Sequence, residues 1–148
     1  MTYHILSISC ISTQATDPTL YSDQVREHYS NPRNAGSIAD PSGKAIVRSS
    51  VDSDTVLITL RIENDVIQDV RFKCMGCAVA IACSSVATEV IRGKHVREAY
   101  QITKQVVADA LGGIPEYKMQ CSNLAPEAIR KAIDDWRLGQ RSKVETTP

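Results

Sequence analysis

Between residues 45 and 73 three β-type runs follow one another with almost nothing between them, and this limits the fold more than any other feature. The runs cover residues 45–51, 55–62 and 66–73. In the middle one Val56, Ile58, Leu60 and Ile62 alternate with Leu57, Thr59 and Arg61, the period of a strand. Glu63-Asn64-Asp65 is a connector of hairpin length. Parallel neighbours need a crossover of about a dozen residues or more. Links this short therefore predict a three-stranded antiparallel meander.

The flanks read as helix. Asp17-Pro18 is an N-cap and first-turn pair, Leu20, Tyr21, Val25 and His28 or Tyr29 follow at helical spacing, and Asn31-Pro32 ends the segment. Residues 34–43 are turn-rich. Residues 78–92 combine Ala78, Ala80, Ala82 and Ala87 with Cys83, Ser84 and Ser85, and Gly93 closes them. A helix of such small side chains can lie close against a sheet. Residues 95–100 and 103–111 are also helical, the second stopped by Gly112-Gly113. A last helix runs from near Pro126 to Trp136, with Ile129, Ala132, Ile133 and Trp136 on one face. Strands first and helices afterwards predict an α+β fold: N-terminal helix, meander, then a C-terminal helical layer on the sheet. The expected limits are a flexible extension at residues 1–16, one domain at 17–138 and a flexible tail at 139–148.

The chain has 148 residues, enough for a conventional core. Aromatics are only 5% of it, so that core must be aliphatic. Seventeen basic residues balance seventeen acidic ones, which argues against nucleic-acid binding by phosphate neutralisation and against a polybasic membrane anchor. No run is apolar enough to span a membrane, and the short apolar stretch at residues 5–11 lacks the basic region of a signal peptide. The five cysteines are an odd number, and four fall between positions 74 and 121. That pattern disfavours a disulfide scaffold and points to a cytoplasmic metal or thiol site.

Cys74-Met75-Gly76-Cys77 lies where a strand gives way to a helix, and the amides of a helix start favour thiolate. The spacing suits a metal knuckle, a dithiol redox pair or two unrelated cysteines. Cys121 stands on the approach to the last helix. Asp52 and Asp54 lie between two strands, as turn formers or as oxygen ligands of iron or zinc. Cys83, in the Ala-rich helix, reads as a small core thiol. Cys10 is incidental, and His28 and His95 are expected as surface or capping residues.

A longer pattern connects these positions. Tyr21-Ser22, Val25, His28-Tyr29 and Asn31-Pro32-Arg33-Asn34 are followed in order by Asp69 to Lys73, Gly76-Cys77, Ala80-Ile81-Ala82, Ser84-Ser85 and Thr88-Glu89. Gly93-Lys94, Ala110 to Pro115, Lys118-Met119, Cys121-Ser122, Glu127 to Ile129 and Ala132-Ile133 complete it. The series resembles the IscU/NifU-type iron–sulfur cluster scaffolds from Tyr21 to Trp136, with wording nearest the NifU N-terminal module. The short spacing from Gly93 to Cys121 has no room for the insertion of the zinc-dependent SufU branch.

The resemblance implies a [2Fe–2S] cluster or iron, or zinc as purified, held by three cysteines and an aspartate beside a histidine. It maps the second and third cysteines to Cys77 and Cys121 and the aspartate to Asp54. The first cysteine and its glycine are replaced by Asp52 and Ser53, and the histidine by Gln120. Cys74 then becomes the expected compensating ligand, in a site of Cys74, Cys77, Cys121 and Asp54. The resemblance further implies a scaffold or carrier rather than an enzyme. A cysteine desulfurase would supply sulfur, apo iron–sulfur proteins would receive the cluster, and chaperones or an iron donor would assist. Two other readings stay open: a thiol-redox or sulfur-relay protein using Cys74 and Cys77, and a zinc-binding or degenerate regulatory member of the assembly machinery.

Overall fold

A computed structural model describes residues 21–146. The expectations for Cys10, Asp17-Pro18 and the 1–16 extension lie outside the described residues. Helix α1 (Asp23–Ser30) starts at Ser22, whose hydroxyl accepts the Val25 amide at 3.1 Å. The same hydroxyl donates to the Leu111 carbonyl, tying α1 to a distant turn. Strands β1 (Gly43–Arg48), β2 (Thr55–Glu63) and β3 (Val66–Met75) form the antiparallel sheet in the order β1-β2-β3. Helices α2 (Ala78–Ile91), α3 (Val96–Tyr100) and α4 (Lys104–Ala110) follow. A 3₁₀ helix (Glu116–Asn123) then leads into α5 (Leu124–Thr146). The expected α+β architecture is present.

Register explains the core. Val47 pairs with Val56, Ile58 with Phe72 and Leu60 with Val70. Side chains alternate along a strand, so these residues share one face, and all of them are buried. Helix α5 covers β1 and β2 on that face, while α2 covers β3. The approach of α5 is close enough that a Cβ on Gly43 would overlap the Ala132 carbonyl oxygen. Helix α2 is buried nearly all round, as its Ala and Ser content allows. On the outer edge of β3, Asn34 and Gly36 exchange backbone hydrogen bonds with Phe72 at 2.9 and 2.7 Å.

Four local expectations are corrected. The hairpin between β2 and β3 turns on two residues, not three: Asn64 (φ 54°) and Asp65 (φ 63°) are both left-handed, as a type I′ turn requires. Strand β1 ends at Arg48 rather than Val51, because the Ser49 amide donates to the Asp54 carbonyl at 2.7 Å and closes a loop there. Strand β3 continues two residues past Lys73, to Met75. The last helix begins at Leu124 and runs to Thr146, ten residues beyond Trp136 and through most of the expected tail. Its apolar stripe ends with its contact on the sheet, whereas its backbone hydrogen bonding does not.

Candidate metal centre

Three chain segments meet at one end of the sheet. The loop between β1 and β2 delivers Asp54, the N-cap of α2 delivers Cys77, and the 3₁₀ helix delivers Cys121. One donor atom from each lies within 4.8 Å of the others. The two sulfurs are 3.7 Å apart, and the Cys77 amide donates to Asp54 Oδ2 at 3.5 Å. Asp54 is only 7% exposed and Cys121 2%. Cys77 is half-buried.

The loop chemistry explains how two aspartates two residues apart take different roles. Asp52 is exposed and accepts the Asp54 amide on Oδ1 at 3.4 Å, while Ser53 turns the chain with a left-handed φ of 65°. Asp52 is thus the turn former, and Asp54 is the residue turned inward. Gly76 then lets the Asp54 carboxylate pass. A Cβ on Gly76 would lie 2.7 Å from Asp54 Cγ and 3.0 Å from Oδ1.

The thiols form an unequal pair. The hydrogen bond from Cys121 lowers the Cys77 thiol to about 7. Burial opposes this, while the Ala80 amide at the helix start and the Lys118 ammonium assist it. The same hydrogen bond, with burial, pushes the Cys121 thiol far above its ordinary range. The two sulfurs titrate as a unit, and the first proton leaves the pair at about 7. For Lys118 burial disfavours the ammonium, but Cys77, Cys121 and Tyr21 outweigh it and raise its pKa. Lys118 and Tyr21 border the thiols; the ordered family pattern includes both positions, but it assigns neither a role beside the cysteines.

Cys74 does not join the three donors. Because β3 runs on to Met75, Cys74 pairs across the sheet with Val56 and shares the core-facing side of Phe72. There it packs against the core beneath α2, and burial pushes its thiol up to about 12 despite a hydrogen bond with Ser84. The expectation that Cys74 swings into the Cys77 pocket fails because the strand holds it. Cys83 is fully buried and its thiol is raised by burial, as expected of a core residue. Gln120, at the position where the family pattern has a histidine, is exposed.

The histidines divide. His95 caps α3, accepting the Arg97 amide on Nδ1 at 3.1 Å, as predicted. His28 is not a surface residue: it is 8% exposed, with Nδ1 2.7 Å from Ser85 Oγ and Nε2 3.3 Å from Glu89. Its partners lie 57 and more residues away in sequence, where no local pattern reveals them.

Residues 20–143 match the family model described as the NifU-like N terminal domain. The chain is 48% identical over 117 residues to the iron-sulfur cluster assembly scaffold protein IscU 1 of Archaeoglobus fulgidus, covering 79% of this chain and 76% of that protein. It is 40% identical over 122 residues to the IscU scaffold protein of Aquifex aeolicus, covering 81% and 78%. Among solved structures, the N-terminal NifU-like protein of Brucella abortus superposes with a TM-score of 0.64 at 20% identity, covering 86% of this chain and 98% of that one. A SUF-system scaffold protein of Fervidobacterium islandicum gives 0.67 at 19% identity, covering 79% and 98%. With both the fold and the ordered sequence pattern in common, the chain belongs to the NifU-like N-terminal domain family.

Proposed function

We infer that this chain is an iron–sulfur cluster assembly scaffold, which receives iron and sulfur at Asp54, Cys77 and Cys121 and passes the product on. The observation that carries this reading is the convergence of two sulfurs and a carboxylate oxygen within 4.8 Å, in a chain so similar to IscU scaffold proteins. Thiolates are the ligands that iron–sulfur clusters take, and the carboxylate adds a hard, exchangeable donor. A donor set this short leaves coordination positions for an incoming sulfur source and for a recipient. Those features suit cargo that must leave again. The partners are a cysteine desulfurase and apo iron–sulfur proteins, in the cytoplasm. Among the described residues no helix is long and apolar enough to cross a membrane.

Anaerobic reconstitution with ferrous iron and sulfide tests the reading. Visible sulfur-to-iron charge-transfer bands should develop in the wild type, and Cys77→Ser and Cys121→Ser should each abolish them. Metal analysis of the protein as isolated separates iron cargo from zinc. A protein that gives no bands and holds only zinc belongs to the regulatory reading instead. The redox reading based on Cys74 and Cys77 has no support in the geometry, since Cys74 faces the core with its thiol near 12.

A further inference from the structure

We propose that Cys77 and Cys121 form a reversible disulfide in the metal-free protein, which makes this thiol pair, rather than the C-x-x-C pair Cys74 and Cys77, the site of oxidative modification. The closure itself depends only on the thiol geometry, whereas its consequence for metal loading rests on the scaffold reading above.

Proximity comes first. The sulfurs of Cys77 and Cys121 are 3.7 Å apart, so a disulfide of about 2.05 Å requires them to close by about 1.7 Å. Nothing covalent already occupies either one, since both are free thiols. Access assigns the roles. Cys77 is half-buried at a helix start, whereas Cys121 is 2% exposed. An external disulfide therefore meets Cys77 first, and Cys121 lies behind it as the resolving thiol. Cys74 is half-buried like Cys77, but it is held in β3 opposite Val56, and the short sulfur–sulfur approach is between Cys77 and Cys121.

The step balances with a low-molecular-weight disulfide as oxidant. The Cys77 thiolate attacks one sulfur of that disulfide, forms a mixed disulfide and releases one small thiolate. Cys121 then gives up its proton and attacks Cys77 Sγ, and the second small thiolate leaves. Two protein thiols are oxidised and one external disulfide is reduced to two thiols. The closed form has consumed both sulfur donors, so only Asp54 remains of the three donors, and metal loading stops until a reductant reopens the bond.

Oxidised glutathione, applied anaerobically to the reduced, metal-free full chain, is the probe. Peptide mapping should find Cys77 joined to Cys121, in a crosslinked pair two hydrogens lighter than the two reduced peptides, and Cys74 and Cys83 should remain alkylatable after unfolding. Zinc binding should be lost on closure and recovered with dithiothreitol. In Cys121→Ser the reaction should stall with one glutathione on Cys77, and Cys74→Ser should close like the wild type. A Cys74–Cys77 crosslink, or a stable glutathione adduct on wild-type Cys77 without closure, would overturn the proposal. The mapping on wild-type protein decides this even if a variant fails to fold. Closure in a chain whose reduced form binds neither zinc nor iron would refute the scaffold reading and leave the disulfide standing. Metal binding without closure would do the reverse.

Discussion

Gly76 illustrates how much one residue does at this site. Its missing side chain is the space through which the Asp54 carboxylate reaches the two thiols. Gly76→Ala should fold, since the position lies in an exposed turn, but it should push Asp54 aside. Misplacing a donor by a neighbour's bulk costs on the order of 10–100-fold in metal affinity, which zinc titration against a chromophoric chelator would measure. Cys77 sets the break in the pH dependence. Metal binding must displace the Cys121 proton throughout the neutral range, at about tenfold in affinity per pH unit, and below about 7 it must displace one from Cys77 as well, so the dependence should steepen to about a hundredfold per unit. Competition titrations at a series of pH values should show that break. A slope that does not change through neutrality would mean that Cys77 is not a donor. Cys74, by contrast, should be dispensable for metal. Cys74→Ser should keep its zinc stoichiometry and should lose stability by about 1–2 kcal/mol, as expected for a polar group placed among core side chains, measured by urea denaturation.

At the scale of elements, α1 is held to α2 through one buried polar link. His28 sits between Ser85 and Glu89, and the Arg33 amide also donates to Ser85 Oγ at 2.8 Å. Burial lowers the pKa of His28, with Glu89 offsetting part of the effect. The unfolded chain takes up a proton on this residue at about 6.5, and the folded chain resists it to a lower pH. Between those two values unfolding absorbs a proton, so acid favours the unfolded state. The contribution is complete above about 6.5 and is lost as pH falls through the folded value. Urea midpoints between pH 7.5 and 5.5 should therefore drop in the wild type, and the part of that slope due to this residue should vanish in His28→Gln. Helix α1 should loosen first, because among the described residues it meets the body chiefly through α2.

Across the whole molecule the three donors come from three separate segments, spanning residues 54 to 121. Their convergence therefore exists only in the folded state. Metal that binds the folded chain and not the unfolded one adds stability by mass action, about 2.7 kcal/mol when free metal is a hundredfold above the dissociation constant. Zinc should raise the melting temperature of the reduced protein and should leave that of Cys77→Ser unchanged, as read by near-ultraviolet circular dichroism. An equal rise in the variant would place the metal elsewhere.

Much of this molecule is legible in its residues alone. The meander follows from alternation and from connectors too short for any crossover, which are local facts of the chain. Helix α2 follows from its run of small residues, the surface or capping role of His95 from the lack of a partner ligand close in sequence, and Cys77, Cys121 and Asp54 from an ordered family pattern. What the sequence could not decide is set by events between distant segments. Strand β3 outlasts its apolar alternation because β2 supplies hydrogen-bond partners as far as Met75, and that extension takes Cys74 out of the site. His28 is buried because α2 offers Ser85 and Glu89 where α1 lands. Asp54 turns inward and Asp52 outward because a six-residue loop closes on the Ser49 amide. Alternation and capping are written within a few residues, so one chain read alone carries them. A donor's direction and a thiol's proton depend on which side chains the packed fold brings within a few ångströms, and only the tertiary structure decides that.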